Sequence, residues 1–181
     1  MVNYQSLIEK YYPADDDLRR LLLQHSRQVA DMCLAVCTRH SELTLDRRFV
    51  EEAAMLHDIG IRWCHAPGIH CFGEEPYLRH GLIGGGVLRE EGHPRHARVC
   101  ERHTGAGITK RQIEERRLPM PSADYMPETP EEQLVCYADK FFSKSHPERT
   151  LTAEQAAKSL EPFGRDGVER FMHWHRLFAL H

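Results

Sequence analysis

Histidine and aspartate recur in this chain at positions where a helical core should be apolar. Between residues 18 and 36 the apolar stripe reads Leu18, Leu22, His25, Val29, Met32, Cys33 and Val36, so His25 sits inside it. Farther on, Val50, Ala54 and His57 share a helical face, with Asp58 about 100° round from His57. His80 lines up with Ile83, Gly84, Val87 and Leu88, and His103 follows His96, Val99 and Cys100 at helical spacing. Asp139 joins Val135, Ala138 and Phe142. Burying one such polar group without a partner costs roughly 2–7 kcal/mol, and an unpaired carboxylate costs more. Taken singly, each histidine reads as a hydrogen-bonded core residue, and Asp58 or Asp139 as a helix-terminal or ion-pairing group. Taken together, successive helices each turn one such group inward. A shared metal centre satisfies all of them at once. The 13 histidines of the chain agree with that chemistry, since imidazole binds metals and titrates near neutral pH.

The elements that must carry these groups are helices, because helical periodicity dominates and no clear alternating strand appears. A short helix is expected over Val2–Tyr11, stopped before Pro13. The acidic run Asp15–Asp17 supplies an N-cap and a dipole-matched first turn for a long helix reaching His40. The next runs from Asp46 to Ile59 and ends at Gly60, leaving an irregular loop over 60–76. Helices over Leu78–Glu91 and Pro94–His103 follow, then a short one over Thr109–Arg117 and a proline-bearing surface loop over 118–130. Pro130 opens a helix to Ser145, Thr152 and Gln155 make a capping box for another, and the last reaches Phe178. The expected architecture is all-α, a single compact helical bundle over residues 1–181. Its motif-bearing core lies at about 18–145, with the helices of 152–178 packed on it.

Composition narrows the class. The 181 residues are 41% hydrophobic and 28% charged, as in an ordinary soluble globular domain. A net charge of -3, with basic residues interspersed among acidic ones, argues against a protein made to coat nucleic acid. No apolar run approaches the roughly 18 residues of a membrane helix, and the N-terminus lacks a signal-type hydrophobic region, so a cytoplasmic location is expected. The cysteines Cys33, Cys37, Cys64, Cys71, Cys100 and Cys136 form no CxxC pair and read as reduced core fillers.

The ordered set His25, then His57-Asp58, then Asp139 resembles the H…HD…D signature of the HD superfamily of metal-dependent phosphohydrolases. His57-Asp58-Ile59-Gly60 looks like its HDIG variant, and Arg79-His80-Gly81, Glu101-Arg102-His103-Thr104-Gly105 and Tyr137-Ala138-Asp139-Lys140-Phe141 support it over roughly residues 20–145. The resemblance implies a minimal metal set of His25, His57, Asp58 and Asp139. His80 and His103 match the extra ligands of two-metal members, with Asp58 as the bridge. The chain lacks the GYP motif and the His-His pair of the cyclic-dinucleotide phosphodiesterase branch. In size and ligand order it is closer to the small bacterial HD hydrolases of dinucleoside polyphosphates.

The reading that follows is an enzyme that cleaves a phosphoester or phosphoanhydride, of a nucleotide or dinucleotide, by metal-activated water. Two ions about 3.5–4 Å apart lower the pKa of a bound water and neutralise phosphoryl charge. Mixed His and carboxylate ligation favours Fe, Mn, Co or Zn over Mg, as one or two ions. Asp58 is the expected catalytic carboxylate, and Arg62, Lys140 and Lys144 are the expected phosphate partners, Arg62 and Lys140 also being counted as catalytic. Each of these cations has a solvated surface charge as its plain alternative. The competing classes are a non-catalytic nucleotide-binding or regulatory module that keeps the cage, and a di-iron oxygenase. His65 and His70, with Cys64 and Cys71, read as part of a lid over the site rather than a second metal centre. Gly84-Gly85-Gly86 reads as close packing of its helix against the His25 helix, not as a phosphate cradle, for it follows no strand and lacks a P-loop lysine. His93, His96, His173 and His175 read as solvated or packing residues.

Overall fold

The computed structural model describes residues 2–180. Among them α1 (Tyr4–Tyr11), α2 (Asp17–Arg39), α3 (Arg47–Leu56), α4 (His80–Glu90), α5 (Pro94–Arg102), α6 (Lys110–Arg116), α7 (Pro130–Asp139), α8 (Ala153–Leu160) and α9 (Arg165–Phe178) account for the regular helical structure. The fold is accordingly mainly helical. None of these helices is long and apolar enough to cross a membrane.

Local sequence sets the helix starts. Asp16 caps α2 by accepting from the Arg19 amide, and Asp46 caps α3 by accepting from that of Phe49. Thr109–Gln112, Thr129–Glu132 and Thr152–Gln155 close reciprocal capping boxes on α6, α7 and α8. Each such cap is worth about 1 kcal/mol, enough to fix where a helix begins.

The core forms where α2, α3 and α7 meet. Leu22, Val29, Cys33 and Val36 of α2 are buried with Val50, Ala54 and Leu56 of α3 and with Leu134, Val135 and Ala138 of α7. On the other side of α7, the Tyr137 ring packs 5.3 Å from Phe171 and 5.7 Å from Phe178 of α9. The Tyr137 hydroxyl lies 2.9 Å from His175 Nδ1, so that histidine anchors the last helix. His96 is buried against Glu52 at 3.1 Å, while His173 is exposed. All six cysteines are free, and all but Cys37 are buried.

Four sequence expectations change. The loop after Gly60 carries a small sheet of β1 (Cys64–Ala66), β2 (Cys71–Phe72) and β3 (Glu75–Pro76) in the order β2-β1-β3. β1 runs antiparallel to β2 and parallel to β3. Strands of two or three residues are too short to produce a visible alternation. Helix α3 stops at Leu56, so His57 and Asp58 lie in the turn that follows it. Helix α7 stops at Asp139 rather than Ser145, because Phe142 turns out to bridge with Thr150. Finally, Gly81, Gly84 and Gly85 of α4 face α5 and the turn at Gly60, not α2, while Gly86 meets open space. A Cβ on Gly81 would overlap the Cys100 carbonyl, and one on Gly84 would lie 3.1 Å from the Gly60 amide. That contact brings His80 and the His57-Asp58 turn together.

Candidate metal centre

Six buried side chains converge beneath α4. His25 comes from the third turn of α2, His57 and Asp58 from the turn after α3, and His80 from the first position of α4. His103 caps the C-terminus of α5, and Asp139 is the last residue of α7. None is more than 6% exposed.

Asp58 stands at the middle, its two carboxylate oxygens facing different partners. Oδ2 lies 3.3 Å from His25 Nε2 and 3.3 Å from His57 Nε2. Oδ1 lies 3.3 Å from His80 Nε2 and 3.4 Å from His103 Nε2. Each trio, His25/His57/Asp58 and Asp58/His80/His103, has its ligand atoms within 4.8 Å of one another. Asp139 joins the first trio, its Oδ1 2.9 Å from His25 Nε2 and 3.5 Å from His57 Nε2.

The helix ends aim the rings. Nδ1 of His57 lies 2.6 Å from the Ala54 carbonyl, that of His80 2.6 Å from Tyr77, and that of His103 2.7 Å from Cys100. A carbonyl accepts only from an N–H, so in all three Nδ1 donates and Nε2 is left as the basic nitrogen turned inward, the arrangement metal-binding histidines use. Tyr77, which sequence reading passed over, also stacks on the His80 ring with centroids 4.6 Å apart. An aromatic residue three positions before the histidine was its one visible signal.

Several buried atoms lack hydrogen bonds: His57 Nε2, both oxygens of Asp58 and His25 Nδ1. Orphaned buried atoms of this kind call for an explanation. A divalent cation between them fits the donor set, since imidazole nitrogen and carboxylate oxygen are transition-metal ligands.

Two lysines supply positive charge. Lys144, in the turn after α7, curls back so that Nζ sits 2.6 Å from Asp58 Oδ2, an ion pair without hydrogen-bond alignment. Lys140 Nζ lies 3.0 Å from Asp139 Oδ2. Burial alone would raise both aspartates, but Lys144 and His57 hold Asp58 well below the usual carboxylate range, and Lys140 and Lys144 do the same for Asp139. Burial followed by Lys144 lowers His25 to about 4, and burial lowers His80 to about 3. His57 differs: burial opposes its charge, yet Asp58 and then Asp139 lift it to about 9. Without a metal, the pull of the two carboxylates thus favours a proton on His57 Nε2, which a bound cation would displace.

Arg62 is not brought into this group. It is exposed, its guanidinium 5.5 Å from the Tyr12 ring and 5.4 Å from the Trp63 ring, and it makes no ion pair with the six residues. His65 and His70 are exposed while Cys64 and Cys71 are buried, so these four do not gather into a cluster among the described residues.

A model of the HD domain family matches residues 22–143. The chain is 37% identical over 124 residues to an uncharacterized protein of Methanocaldococcus jannaschii, a match covering 63% of this chain and 66% of that one. It is 32% identical over 151 residues to a tRNA (cytidine(56)-2'-O)-methyltransferase of Picrophilus torridus, covering 78% of this chain and 40% of the relative. The matches thus span less than two thirds of each relative's own length. Among solved structures, the L. monocytogenes phosphodiesterase PgpH HD domain in complex with cyclic-di-AMP superposes with a TM-score of 0.55. It is 14% identical and covers 99% of this chain and 96% of that one.

Proposed function

Since the chain belongs to the HD domain family, we propose that it is a metal-dependent phosphohydrolase acting on a small phosphorylated substrate, a nucleotide or dinucleotide. The observation that carries the reading is Asp58: one buried carboxylate offered through separate oxygens to two histidine-containing trios. His25, His57, Asp58 and Asp139 would hold one divalent ion of Fe, Mn, Co or Zn. Asp58, His80 and His103 would hold a second. Such ions, when bound, neutralise phosphoryl oxygens and make water nucleophilic near neutral pH.

The chain's own groups do the rest. The carbonyls of Ala54, Tyr77 and Cys100 keep His57, His80 and His103 in one tautomer. Asp58 ties the two halves of the site together. Lys140 and Lys144, paired with Asp139 and Asp58, would be the cations that take phosphoryl oxygens. Arg62 lies elsewhere and is given no such part. The cyclic-di-AMP held by the PgpH HD domain supports a nucleotide ligand. The methyltransferase activity named for the relative is not carried over, since the match covers 40% of that protein.

The test is elemental analysis of purified protein, followed by a phosphate-release screen with Mn, Fe(II), Co, Zn and Mg. Nucleotides, dinucleoside polyphosphates and simple phosphoesters would form the panel. Bound transition metal with metal-dependent release supports the hydrolase. Bound metal without release on any member turns the reading to a binding module, and oxygen consumption by an iron-loaded sample to an oxygenase.

A further inference from the structure

Beside the metal centre lies a cavity of about 310 Å³ lined by Leu78, Ile108, Leu118, Leu160, Phe163 and Lys140. Lys140 belongs to both places, for its Nζ is also 3.0 Å from Asp139 Oδ2. Leu78 lies two residues before His80, and Thr104, another wall residue, directly follows His103. One end of the cavity therefore abuts the candidate ligands, with a cation at the junction. The rest is mostly apolar, with Gln112, Arg116 and Ser159 as its other polar wall residues, and the size is at the lower end of small-molecule sites, roughly 300–1,000 Å³.

The outer wall is built rather than incidental. Gln112 Nε2 donates to the Phe163 carbonyl at 3.0 Å, and Arg116 Nη1 donates to that of Pro162 at 3.0 Å. These bonds fasten the turn between α8 and α9 onto α6. They hold Phe163, a large apolar side chain left 58% exposed, at the cavity with the Arg116 guanidinium 5.9 Å from its ring. An aromatic ring kept largely exposed at a pocket is a surface on which a planar ligand can stack. Leu160, Phe163 and Gly167 all lie beyond residue 143, where the HD family match ends.

We propose that this cavity is a nucleobase subsite: the uncharged planar ring of the substrate enters between Phe163 and the apolar wall while its phosphate end reaches Lys140 and the metal centre. The proposal rests on the phosphohydrolase reading only for the phosphate end. The α8–α9 segment then sets which substrate is accepted.

Phosphate-free nucleosides separate the two ideas, because they require no hydrolysis. Binding of adenosine, guanosine, cytidine and uridine to the purified protein, with and without chelator, would be measured by ligand-observed NMR titration. Two variants accompany it. Phe163→Ala removes an exposed ring. Gly167→Leu fills the cavity from α9, where a Cβ has only the Ala106 methyl at 3.9 Å and leucine favours the helix over glycine. At least one nucleoside should bind with or without metal. Phe163→Ala should weaken it about tenfold, in the range lost when an aromatic stacking partner of a base is removed, and Gly167→Leu should abolish it. Failure of all four nucleosides to bind overturns the subsite, as does binding that survives both variants. Binding of octyl phosphate but of no nucleoside overturns it in favour of an alkyl-chain pocket. Nucleoside binding with no phosphate release in the metal screen would uphold the subsite and fail the hydrolase.

Discussion

Replacing Lys144 with methionine removes the charge that most favours ionised Asp58 while keeping the side chain's bulk. Lys144 Nζ lies 2.6 Å from Asp58 Oδ2, and the two side chains are 14% and 0% exposed. Removing one partner of a buried ion pair costs roughly 3–5 kcal/mol, because the other charge is left without compensation. Here the lower end is expected. His57, raised to about 9 by Asp58 and Asp139 against the opposing effect of burial, remains charged at neutral pH and keeps part of the balance. A loss of about 3 kcal/mol in metal-free protein lowers Tm by roughly 6–12 °C for a chain of this size. In metal-loaded protein a dication on Asp58 replaces the missing charge, so the gap between Lys144→Met and the native chain should narrow to under about 1 kcal/mol. The same variant should bind metal more tightly. Thermal and denaturant unfolding of both proteins, with chelator and with saturating Mn or Zn at pH 7, measures all of this. Equal loss with and without metal would mean that Lys144 acts through packing alone. No loss in either state would refute the ion pair itself.

Other perturbations probe the cage from different sides. His80→Ala should reduce bound metal to about half, whereas Asp58→Asn should remove most of both ions; elemental analysis of the purified variants distinguishes the shared carboxylate from a one-sided ligand. Metal-free stability should peak near pH 6.5. Burial, then Lys144, lowers His25 to about 4, and burial lowers His80 to about 3, so their contribution is full above the ordinary value of 6.5 and is lost as pH falls through those values. His57, raised to about 9, contributes fully below 6.5 and loses that contribution as pH rises through about 9. Urea unfolding from pH 4 to 9 in chelator should trace this maximum, and a flat profile would contradict it. Gly60→Ala should destabilise by about 3 kcal/mol or more in an unfolding titration, since its Cβ would overlap the His80 carbonyl and the Gly84 amide.

What sequence could and could not reveal divides along physical lines. His25 and Asp139 were legible because a polar residue in an apolar helical stripe is visible from periodicity alone, and burial of both follows from that stripe. The burial of His57, His80 and His103 follows from their apolar faces in the same way, but which ring nitrogen points inward does not, because it depends on carbonyls three residues earlier at helix ends, whose positions shift with one or two residues of helix length. A helix continuing from Pro130 to Ser145 puts Lys144 one turn beyond Lys140, and no glycine or proline between residues 131 and 146 says otherwise. What ends α7 at Asp139 is tertiary, the pairing of Phe142 with Thr150 and the Leu151 amide donating to the Phe141 carbonyl. Once the helix ends there, Lys144 is free to fold back onto Asp58, a residue 86 positions earlier that no local pattern connects to it. The partner of the glycine-bearing α4 was likewise decided at long range. A glycine stripe announces that some backbone comes close, and only the fold supplies the turn at Gly60 and the Cys100 carbonyl. The reactive groups are therefore written in residue type and period, while the geometry that makes one carboxylate serve two trios is written in how the helices end.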